Sequence, residues 1–213
     1  MTSAPIRLYP PATARPAPPR GPGAELYRLA GRIWLWAFGW KREGDWPDHP
    51  RCVLLAAPHT SNWDGLHMLA AAGASRVRLR WMGKASLTRG PFGGLVRWAG
   101  CIPVERDAAG DVAPAMVRAF ATAPALVLAI APEGTRGAVG RWKTGFHRIA
   151  REAGVPIVFS ILDYGTRTIH LAGEMDGSAH FDRDWPAIRA LYRDARGRVP
   201  GRFQLDSGPE GPG

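Results

Sequence analysis

The chain has 213 residues, with 28 Lys or Arg against 18 Asp or Glu, so its formal net charge is +10. This length suits one domain with tails rather than a repeat array. Its 46% hydrophobic residues suffice for a core, which excludes a wholly disordered chain. All the cations except Lys41, Lys84 and Lys143 are arginines. Because arginine binds phosphate or carboxylate through two hydrogen bonds at once, this composition indicates an anionic partner.

The cysteines and the N-terminus bear on the cellular compartment. Cys52 and Cys101 are too few for a disulfide framework and lack the C-x-x-C spacing of a metal site, which is typical of a reducing cytosol. The sequence lacks a run of about 18 apolar residues, so no transmembrane helix is predicted. The N-terminus carries prolines where a secretion signal carries an apolar core, so secretion is not indicated.

The two ends of the chain differ in composition from its middle. Residues 1–23 carry seven prolines and almost no apolar periodicity, which predicts a disordered, Pro-rich tail. Residues 197–213 are again rich in Gly and Pro, and we expect a second, flexible tail there. Between the tails the sequence predicts an amphipathic helix within 24–42 and one folded domain over 43–196.

The segment 24–42 is rich in aromatic residues. Five aromatic side chains fall from Leu26 to Trp40, interrupted by Arg28 and Arg32. Trp and Arg together suit a helix at a membrane interface, where rings lie at headgroup depth and guanidiniums meet lipid phosphates. An ordinary helix that packs its aromatics on the domain explains the same residues. Because the aromatics do not fall on one helical face, both interpretations stay open.

Between 43 and 196, apolar strand-like runs alternate with helical patterns, which predicts an α/β fold with a central, mostly parallel sheet flanked by helices. In such sheets, ligands bind beyond the carboxyl ends of the strands. The predicted strands are Cys52–Ala57, Val77–Met82, Leu126–Ile130, Val155–Leu162 and an edge strand at Thr168–Leu171. The predicted helices span about 63–73, 91–99, 112–122, 144–153 and 185–195.

A histidine and a carboxylate follow the first strand of the domain. His59 comes after the apolar run that Pro58 ends, and Asp64 stands five residues further on, at the start of the next helix. Asp64 can accept one ring N–H of His59 and leave the other ring nitrogen as a general base. The alternative is a helix-capping aspartate beside a structural histidine. Because this spacing is common, the pair by itself does not decide between the two.

Two further loops deliver charged side chains at strand ends. Pro132 and Gly134 define a tight loop after the strand at 126–130, and this loop carries a glutamate and an arginine. The alternative without a functional role is a surface turn with an exposed ion pair. Another short apolar run ends in Arg106. The alternative without a functional role for Arg106 is a solvated charge at a strand end.

The stretch from Gly65 to Val104 is strongly basic. Its 40 residues hold six Arg or Lys and no Asp or Glu, which predicts a positively charged surface and weighs against a merely solvated role for Arg106. A nucleic-acid-binding module is a rival explanation of this charge. However, the aromatics are not interleaved with the basic run as a base-stacking surface requires, so we expect no nucleic-acid partner.

Four motifs occur in order along about residues 50–162. The first is a His followed by four residues and an Asp, the second ends in Gly-x-Ile-x-x-x-Arg, the third is Pro-Glu-Gly-Thr-Arg, and the fourth is Val-Pro-Ile-Val. In order and spacing they resemble those of the glycerophospholipid acyltransferase family, which includes the lysophosphatidic acid acyltransferases. In this chain they are His59 with Asp64, Gly100 with Ile102 and Arg106, Pro132–Arg136, and Val155–Val158.

The resemblance implies an O-acyltransferase (EC 2.3.1) domain at 43–196, which moves a fatty acyl group from acyl-CoA or acyl carrier protein to the free hydroxyl of a lysophospholipid. The commonest acceptor in the family is 1-acyl-sn-glycerol-3-phosphate, and its product is phosphatidic acid. Another lysolipid, an amino-acid lipid or a glycolipid stays an alternative acceptor. A non-catalytic basic module that binds anionic membranes is a less favoured alternative.

The resemblance also implies roles for single residues. His59 is the general base, and Asp64 fixes its tautomer. Two arginines hold the phosphate of the acceptor, a lysine adds to that phosphate site, and the Glu-Gly pair of the third motif belongs to the acceptor-binding loop. The residues thus placed at the substrate are Lys84, Arg106, Glu133, Gly134, Thr135 and Arg136.

The implied partners are acyl-CoA or acyl carrier protein, the lysophospholipid acceptor and an anionic membrane surface. We expect no cofactor besides the acyl donor as co-substrate, and no metal, because the remaining histidines are scattered without ligand spacing. From these partners we expect a cytoplasmic protein, peripheral on the inner face of the cell membrane.

Overall fold

A computed structural model of the chain describes residues 21–46, 49–104, 112–177 and 180–205. Residues 1–20 of the first predicted tail and 206–213 of the second lie outside these ranges, and both tails stay predictions. The described residues form seven helices: α1 (Pro22–Ala37), α2 (Asn62–Ala74), α3 (Ser86–Arg89), α4 (Gly93–Trp98), α5 (Ala113–Thr122), α6 (Gly145–Ala153) and α7 (Phe181–Tyr192).

The same residues form one sheet of seven strands in the order β1-β7-β6-β2-β5-β3-β4. All neighbouring strands are parallel except β6 and β7, which are antiparallel. This confirms the predicted α/β fold with a mostly parallel sheet. The strands are β1 (Lys41–Glu43), β2 (Arg51–Ala57), β3 (Leu79–Lys84), β4 (Cys101–Val104), β5 (Leu126–Ile130), β6 (Ile157–Asp163) and β7 (Thr168–Met175).

The strand predicted at Thr168–Leu171 is longer than predicted and does not lie at the edge of the sheet. The strand β7 runs on to Met175, and β1 pairs along its outer side, so β1 and β4 are the edges of the sheet. The strand β1 escapes detection from sequence because Lys41, Arg42 and Glu43 are all charged and exposed, with no apolar alternation. Charged side chains on a short edge strand are a common way to prevent pairing with other chains.

Helices cover both faces of the sheet, and the alternation of β2 shows how. Cys52 and Leu54 pack in one core with α1 and α2, whereas Val53 and Leu55 pack in a second core with α5, α6 and α7. Successive side chains of a strand point to opposite faces, so an uninterrupted apolar run serves both cores. The strand β2 therefore lies at the centre of the molecule.

The last helix begins earlier than the sequence predicts. The pattern predicts a helix over 185–195, but α7 spans Phe181–Tyr192. Pro186 is typical of a helix start, which places the predicted boundary too late. In the structure, Asp182 and Asp184 occupy the first turn, where carboxylates are stabilised by the helix dipole, and Pro186 lies inside the helix.

The helix α1 packs antiparallel to α2. Gly31 lies so close to the carbonyl of Ala70 that a Cβ atom there would clash, and the ring of Tyr27 covers Gly73. One face of α1 is thus buried on the domain, as the packing interpretation of this segment predicts. Leu26, Leu29, Ile33 and Trp36 recur at helical spacing on another face of α1 and are exposed. None of the helices in the described ranges is long and apolar enough to span a bilayer.

Candidate active site

Three loops meet at the carboxyl edge of the sheet. His59 follows β2, Glu133 follows β5 and Tyr164 follows β6, and these strands are neighbours with β2 in the middle. Because all three strands are parallel, their carboxyl ends lie on one side. This is the place where the fold class predicts a ligand site.

His59 and Asp64 are in contact there. The Nδ1 atom of His59 lies 3.3 Å from Oδ2 of Asp64. The imidazole is partly exposed, whereas the carboxylate is buried. This contact engages Nδ1, so Nε2 is the ring nitrogen that can face a substrate. The geometry is the one that the predicted pair requires.

Asp64 is held by four more hydrogen bonds. Its Oδ2 accepts the backbone N–H groups of Thr60, at 2.6 Å, and Ser61, at 2.7 Å. Its Oδ1 accepts the hydroxyls of Ser61 and Tyr164, each at 2.6 Å. Burial by itself raises the pKa of this carboxyl, but these bonds, with the one from His59, outweigh it and hold the pKa below its ordinary value.

These contacts unite the two interpretations that the spacing left open. Asp64 is the third residue of α2 and accepts the N–H of Ser61, the residue before the helix, so it caps the helix. The same carboxylate also contacts the ring of His59. Capping fixes Asp64 against the helix and therefore fixes the position from which it orients the imidazole.

Tyr164 is a residue of this site that sequence reasoning missed. Burial and the hydrogen bond to Asp64 raise its pKa, so it stays a neutral donor. Its ring meets that of Trp40 edge-on, with centroids 4.8 Å apart. The available signal was its place: an aromatic hydroxyl directly after a buried strand, at the edge where ligands bind.

His67, the second histidine of α2, has a packing role. It is buried, its ring stacks on Trp40 at 4.4 Å, and its Nδ1 accepts the indole N–H of Trp34. Burial lowers the pKa of His67 to about 4, so the ring is neutral at physiological pH. This histidine therefore links α1 to α2 rather than serving as a base.

Glu133 contacts the backbone of His59 directly. Its buried Oε1 accepts the N–H of His59 at 2.8 Å, which ties the loop after β5 to the loop after β2. Its Oε2 is also buried, and no hydrogen-bond partner for it lies among the described residues. Burial raises the pKa of Glu133 to about 7, although the N–H of His59 lowers it. The resemblance places Glu133 at the substrate, whereas this contact gives it a positioning role.

The loop after Glu133 is shaped by Gly134. Its φ of +66° favours glycine, and a Cβ atom there would lie only 3.0 Å from the side chain of Lys143. Its N–H donates to the carbonyl of Ala131, so this N–H is engaged within the turn. Two residues on, the exposed Arg136 donates to the side-chain oxygen of Asn62, the first residue of α2. The predicted phosphate ligand Arg136 therefore lies beside the start of the helix that carries Asp64.

A cavity of about 300 Å³ opens next to this loop. It contains two cationic side chains and is lined by Glu133, Gly134, Thr135, Val139, Gly140, Arg141 and Lys143. A larger groove, of about 560 Å³, lies between α7 and residues 203–205 and shares none of these residues. The smaller cavity is the one that adjoins the histidine, through Glu133.

The other predicted cations lie further along the same edge or outside the described residues. Lys84 is the exposed last residue of β3, and β5 separates that strand from β2. Two strand spacings amount to roughly 10 Å, so Lys84 shares the edge without reaching His59. Arg106 lies outside the described residues. No cluster of three or more His, Cys, Asp or Glu within the described ranges is placed to hold a metal.

Comparisons with known proteins agree with the fold. The family model for the Acyltransferase family matches residues 46–160. The crystal structure of the 1-acyl-sn-glycerophosphate (LPA) acyltransferase PlsC from Thermotoga maritima is similar with a TM-score of 0.58, over 79% of this chain and 76% of that one. At 14% sequence identity, this likeness concerns the fold. No curated protein sequence matches the chain.

Proposed function

Because the chain belongs to the acyltransferase family, we propose that it transfers a fatty acyl group from acyl-CoA or acyl carrier protein to the free hydroxyl of a lysophospholipid. The observation that carries this proposal is the contact between His59 and Asp64 at the carboxyl edge of the sheet, with Nε2 of the imidazole left for a substrate. The acceptor we propose is 1-acyl-sn-glycerol-3-phosphate, since Arg136, Arg141 and Lys143 suit a phosphate monoester.

His59 acts as the general base in this proposal. An alcohol ionises far above pH 7, so it needs a base as it attacks the thioester carbonyl. The Nε2 atom takes the hydroxyl proton while the new C–O bond forms. The tetrahedral intermediate then collapses, the C–S bond breaks, and the imidazolium returns the proton to the leaving thiolate. General-base catalysis of this kind is worth about 10²–10⁴ in rate.

Asp64 orients the base and stabilises its protonated form. The carboxylate stays ionised because its hydrogen bonds hold its pKa down, and it accepts the Nδ1–H of the imidazole. Its charge then stabilises the imidazolium that forms in the transition state. Tyr164 and the backbone of the capping turn keep the carboxylate in place, so they act on the histidine through Asp64.

The acceptor phosphate is proposed to lie between the loop after β5 and the start of α2. The Arg136 guanidinium forms charge-assisted hydrogen bonds with phosphate oxygens, and Lys143 adds a second cation from the wall of the cavity. Gly134 and Thr135 shape that wall. Lys84 extends the basic edge on the far side of β5, and Arg106 is proposed as a further ligand of the acceptor phosphate.

The anionic membrane surface is proposed as a further partner, with the exposed stripe of α1 at the lipid interface and the protein peripheral on the inner face of the cell membrane. The support is the stripe itself, Leu26, Leu29, Ile33 and Trp36, whose side chains are not used in packing on the domain. The cations of the same helix suit anionic headgroups.

A panel of acceptors tests the reaction. The purified chain is given an acyl-CoA or an acylated carrier protein together with one lysolipid, and thiol release and product mass are measured. We expect phosphatidic acid from 1-acyl-sn-glycerol-3-phosphate, and a loss of at least about 100-fold in His59→Ala. His170→Ala is the matched control, because His170 lies on β7, two strands from β2, and pairs with Glu43 of the edge strand β1, so its loss should leave the rate unchanged. A preference for acceptors without phosphate would refute the role of Arg136.

A further inference from the structure

The segment from α3 to α4, residues 86–98, presents an unusual number of apolar side chains to solvent. Leu87 is 51% exposed, Phe92 73%, Leu95 61% and Trp98 59%. Soluble surfaces tolerate single apolar residues, but a group of four in thirteen residues marks an interaction site. The sequence pattern predicts only a helix near 91–99 and gives no reason for this exposure.

The same segment is positively charged. Arg89 and Arg97 lie within it, and Lys84 immediately precedes it. The stretch from Gly65 to Val104 contains no Asp or Glu, so the net charge of this part of the sequence is positive. A surface that combines bulky apolar side chains with arginines is complementary to a bilayer of anionic lipids.

The segment also lies against α1. The ring of Trp98 contacts the ring of Tyr27 edge-on, with centroids 6.0 Å apart. Every large hydrophobic side chain that is exposed among the described residues belongs to α1, to the residue Phe38 that follows it, to α2 or to the α3–α4 segment. The exposed apolar surface therefore belongs to one side of the molecule, and α3–α4 is part of it.

We propose that the α3–α4 segment is a second contact with the membrane, in which Leu87, Phe92 and Leu95 insert among the lipids of an anionic bilayer while Arg89 and Arg97 meet the headgroups. One interfacial helix leaves a protein free to rotate about the helix axis. Two separate contacts fix its orientation on the surface.

This orientation has a consequence that rests on the proposed function. The α3–α4 segment starts at the carboxyl end of β3, on the same edge of the sheet as His59. A molecule held by this segment keeps the base near the lipid surface, so that a lysophospholipid reaches it without passing through water.

A site-specific probe tests the contact independently of catalysis. Phe92→Cys is labelled with an environment-sensitive fluorophore and mixed with vesicles of phosphatidylcholine and phosphatidylglycerol. Ala121→Cys, exposed on α5 across the sheet, is the matched control. The native cysteines do not interfere, because both are buried and burial raises the pKa of Cys52 to about 12.

We expect the fluorescence emission of the label at position 92 to shift to the blue when vesicles are added, and that of the label at position 121 to stay unchanged. Equal spectra at the two positions in vesicle-bound protein would overturn the proposal, as would the absence of vesicle binding. A blue shift at position 92 before vesicles are added, together with a dimer in solution, would show instead that a second copy of the chain covers this surface.

A pair of double variants separates insertion from structure. Phe92→Ser with Leu95→Ser should lower vesicle affinity by about tenfold, whereas Phe92→Leu with Leu95→Ile should keep it. The serine variant should retain its activity on a short-chain, water-soluble acceptor and lose it on vesicle-embedded acceptor. Equal vesicle affinity of the two variants would refute the contact. If the wild type transfers no acyl group to either acceptor, the proposed function fails, while the fluorescence experiment still decides the membrane contact.

Discussion

Two histidines in the described parts of the chain contact an aspartate, and their surroundings differ. His59 lies 3.3 Å from Asp64 at the carboxyl edge of the sheet, whereas His147 lies 2.9 Å from Asp184 between α6 and α7. Both members of the second pair are buried, but the imidazole of His59 is partly exposed. Phe181 packs its ring on His147 and helps to close that site.

The difference separates a structural pair from a candidate catalytic one. A general base needs contact with a substrate on one nitrogen and an orienting partner on the other, and of the two pairs it is the first that leaves its imidazole partly exposed. The contact distance does not distinguish them, since the buried pair is the closer one. The candidate catalytic pair is distinguished by its position at the carboxyl edge of the sheet and by the exposure of its imidazole.

Replacing each of the two histidines in turn by alanine is the strongest test of this difference. His59→Ala is expected to lower kcat/KM by about 10²–10⁴ because the acceptor hydroxyl loses its base. His147→Ala is expected to cost about 3–5 kcal/mol of stability instead, because it removes a partner from a buried carboxylate. Initial rates and thermal unfolding of both variants check this. Comparable rate losses at a temperature where both are folded would erase the distinction.

Arg136→Ala tests whether the exposed edge binds phosphate. Loss of charge-assisted hydrogen bonds is expected to raise the KM for 1-acyl-sn-glycerol-3-phosphate by about 10–100-fold, with a smaller change in kcat. Arg118→Ala, on α5 across the sheet, is the control and should leave KM unchanged. The same variants are then measured with an acceptor that lacks phosphate. A similar rise in KM for that acceptor would contradict phosphate binding by Arg136.

Tyr164→Phe tests how Asp64 is held. The hydroxyl of Tyr164 is one of the donors that lower the pKa of Asp64, so its removal should raise this pKa. The acid limb of the pH profile of kcat/KM should move to higher pH, with a loss of about tenfold or less at neutral pH. Tyr27→Phe removes a hydroxyl bonded to the carbonyl of Leu69 and is the control. An unmoved acid limb would show that Tyr164 does not act through Asp64.

Glu133→Gln gives the smallest expected effect on activity. The amide oxygen of glutamine can still accept the N–H of His59, so KM and kcat should change little. An acceptor-binding glutamate would instead show a raised KM. Glu133→Ala removes the acceptor of that hydrogen bond and should lower kcat, which separates the two roles.

Glu133→Gln should also change how the stability of the protein depends on pH. Burial raises the pKa of Glu133 from 4.5 to about 7, so the folded state keeps a proton that the unfolded chain has lost between these values. Glu133 by itself therefore lowers the stability of the wild type by up to about 3 kcal/mol as pH rises from 4.5 to 7. The variant should lack this fall, and denaturant unfolding at several pH values measures it. Parallel pH curves for both proteins would show that Glu133 is not protonated in the fold.

Several features of the molecule could be predicted from the sequence because they depend on local patterns. Apolar runs such as Leu126–Ile130 mark buried strands, and the alternation of strands with helices implies a parallel sheet. A parallel sheet in turn implies a site at the carboxyl ends of its strands, where His59 and Glu133 do lie. The family followed from four motifs in order, and the family model confirms it.

Other features depend on which distant segments come together, and no local pattern encodes that. The position of Tyr164 against Asp64 joins residues 100 positions apart. The contact of Glu133 with the backbone of His59 arises because β5 lies beside β2. The strand β1 forms through its pairing with β7, which lies more than 120 positions further along the chain.

The aromatic segment shows the division most clearly. From composition alone, residues 24–42 fit either a packed helix or an interfacial one, because a count of Trp and Arg does not say which sides of a helix are covered. Packing on α2 uses one face of α1 and leaves Leu29, Ile33 and Trp36 exposed. Composition and periodicity thus indicated most of the elements, and the resemblance of the four motifs indicated the chemistry that they carry. Which faces are buried and which side chains meet was decided by the tertiary structure, because burial and contact are properties of the assembled sheet and helices.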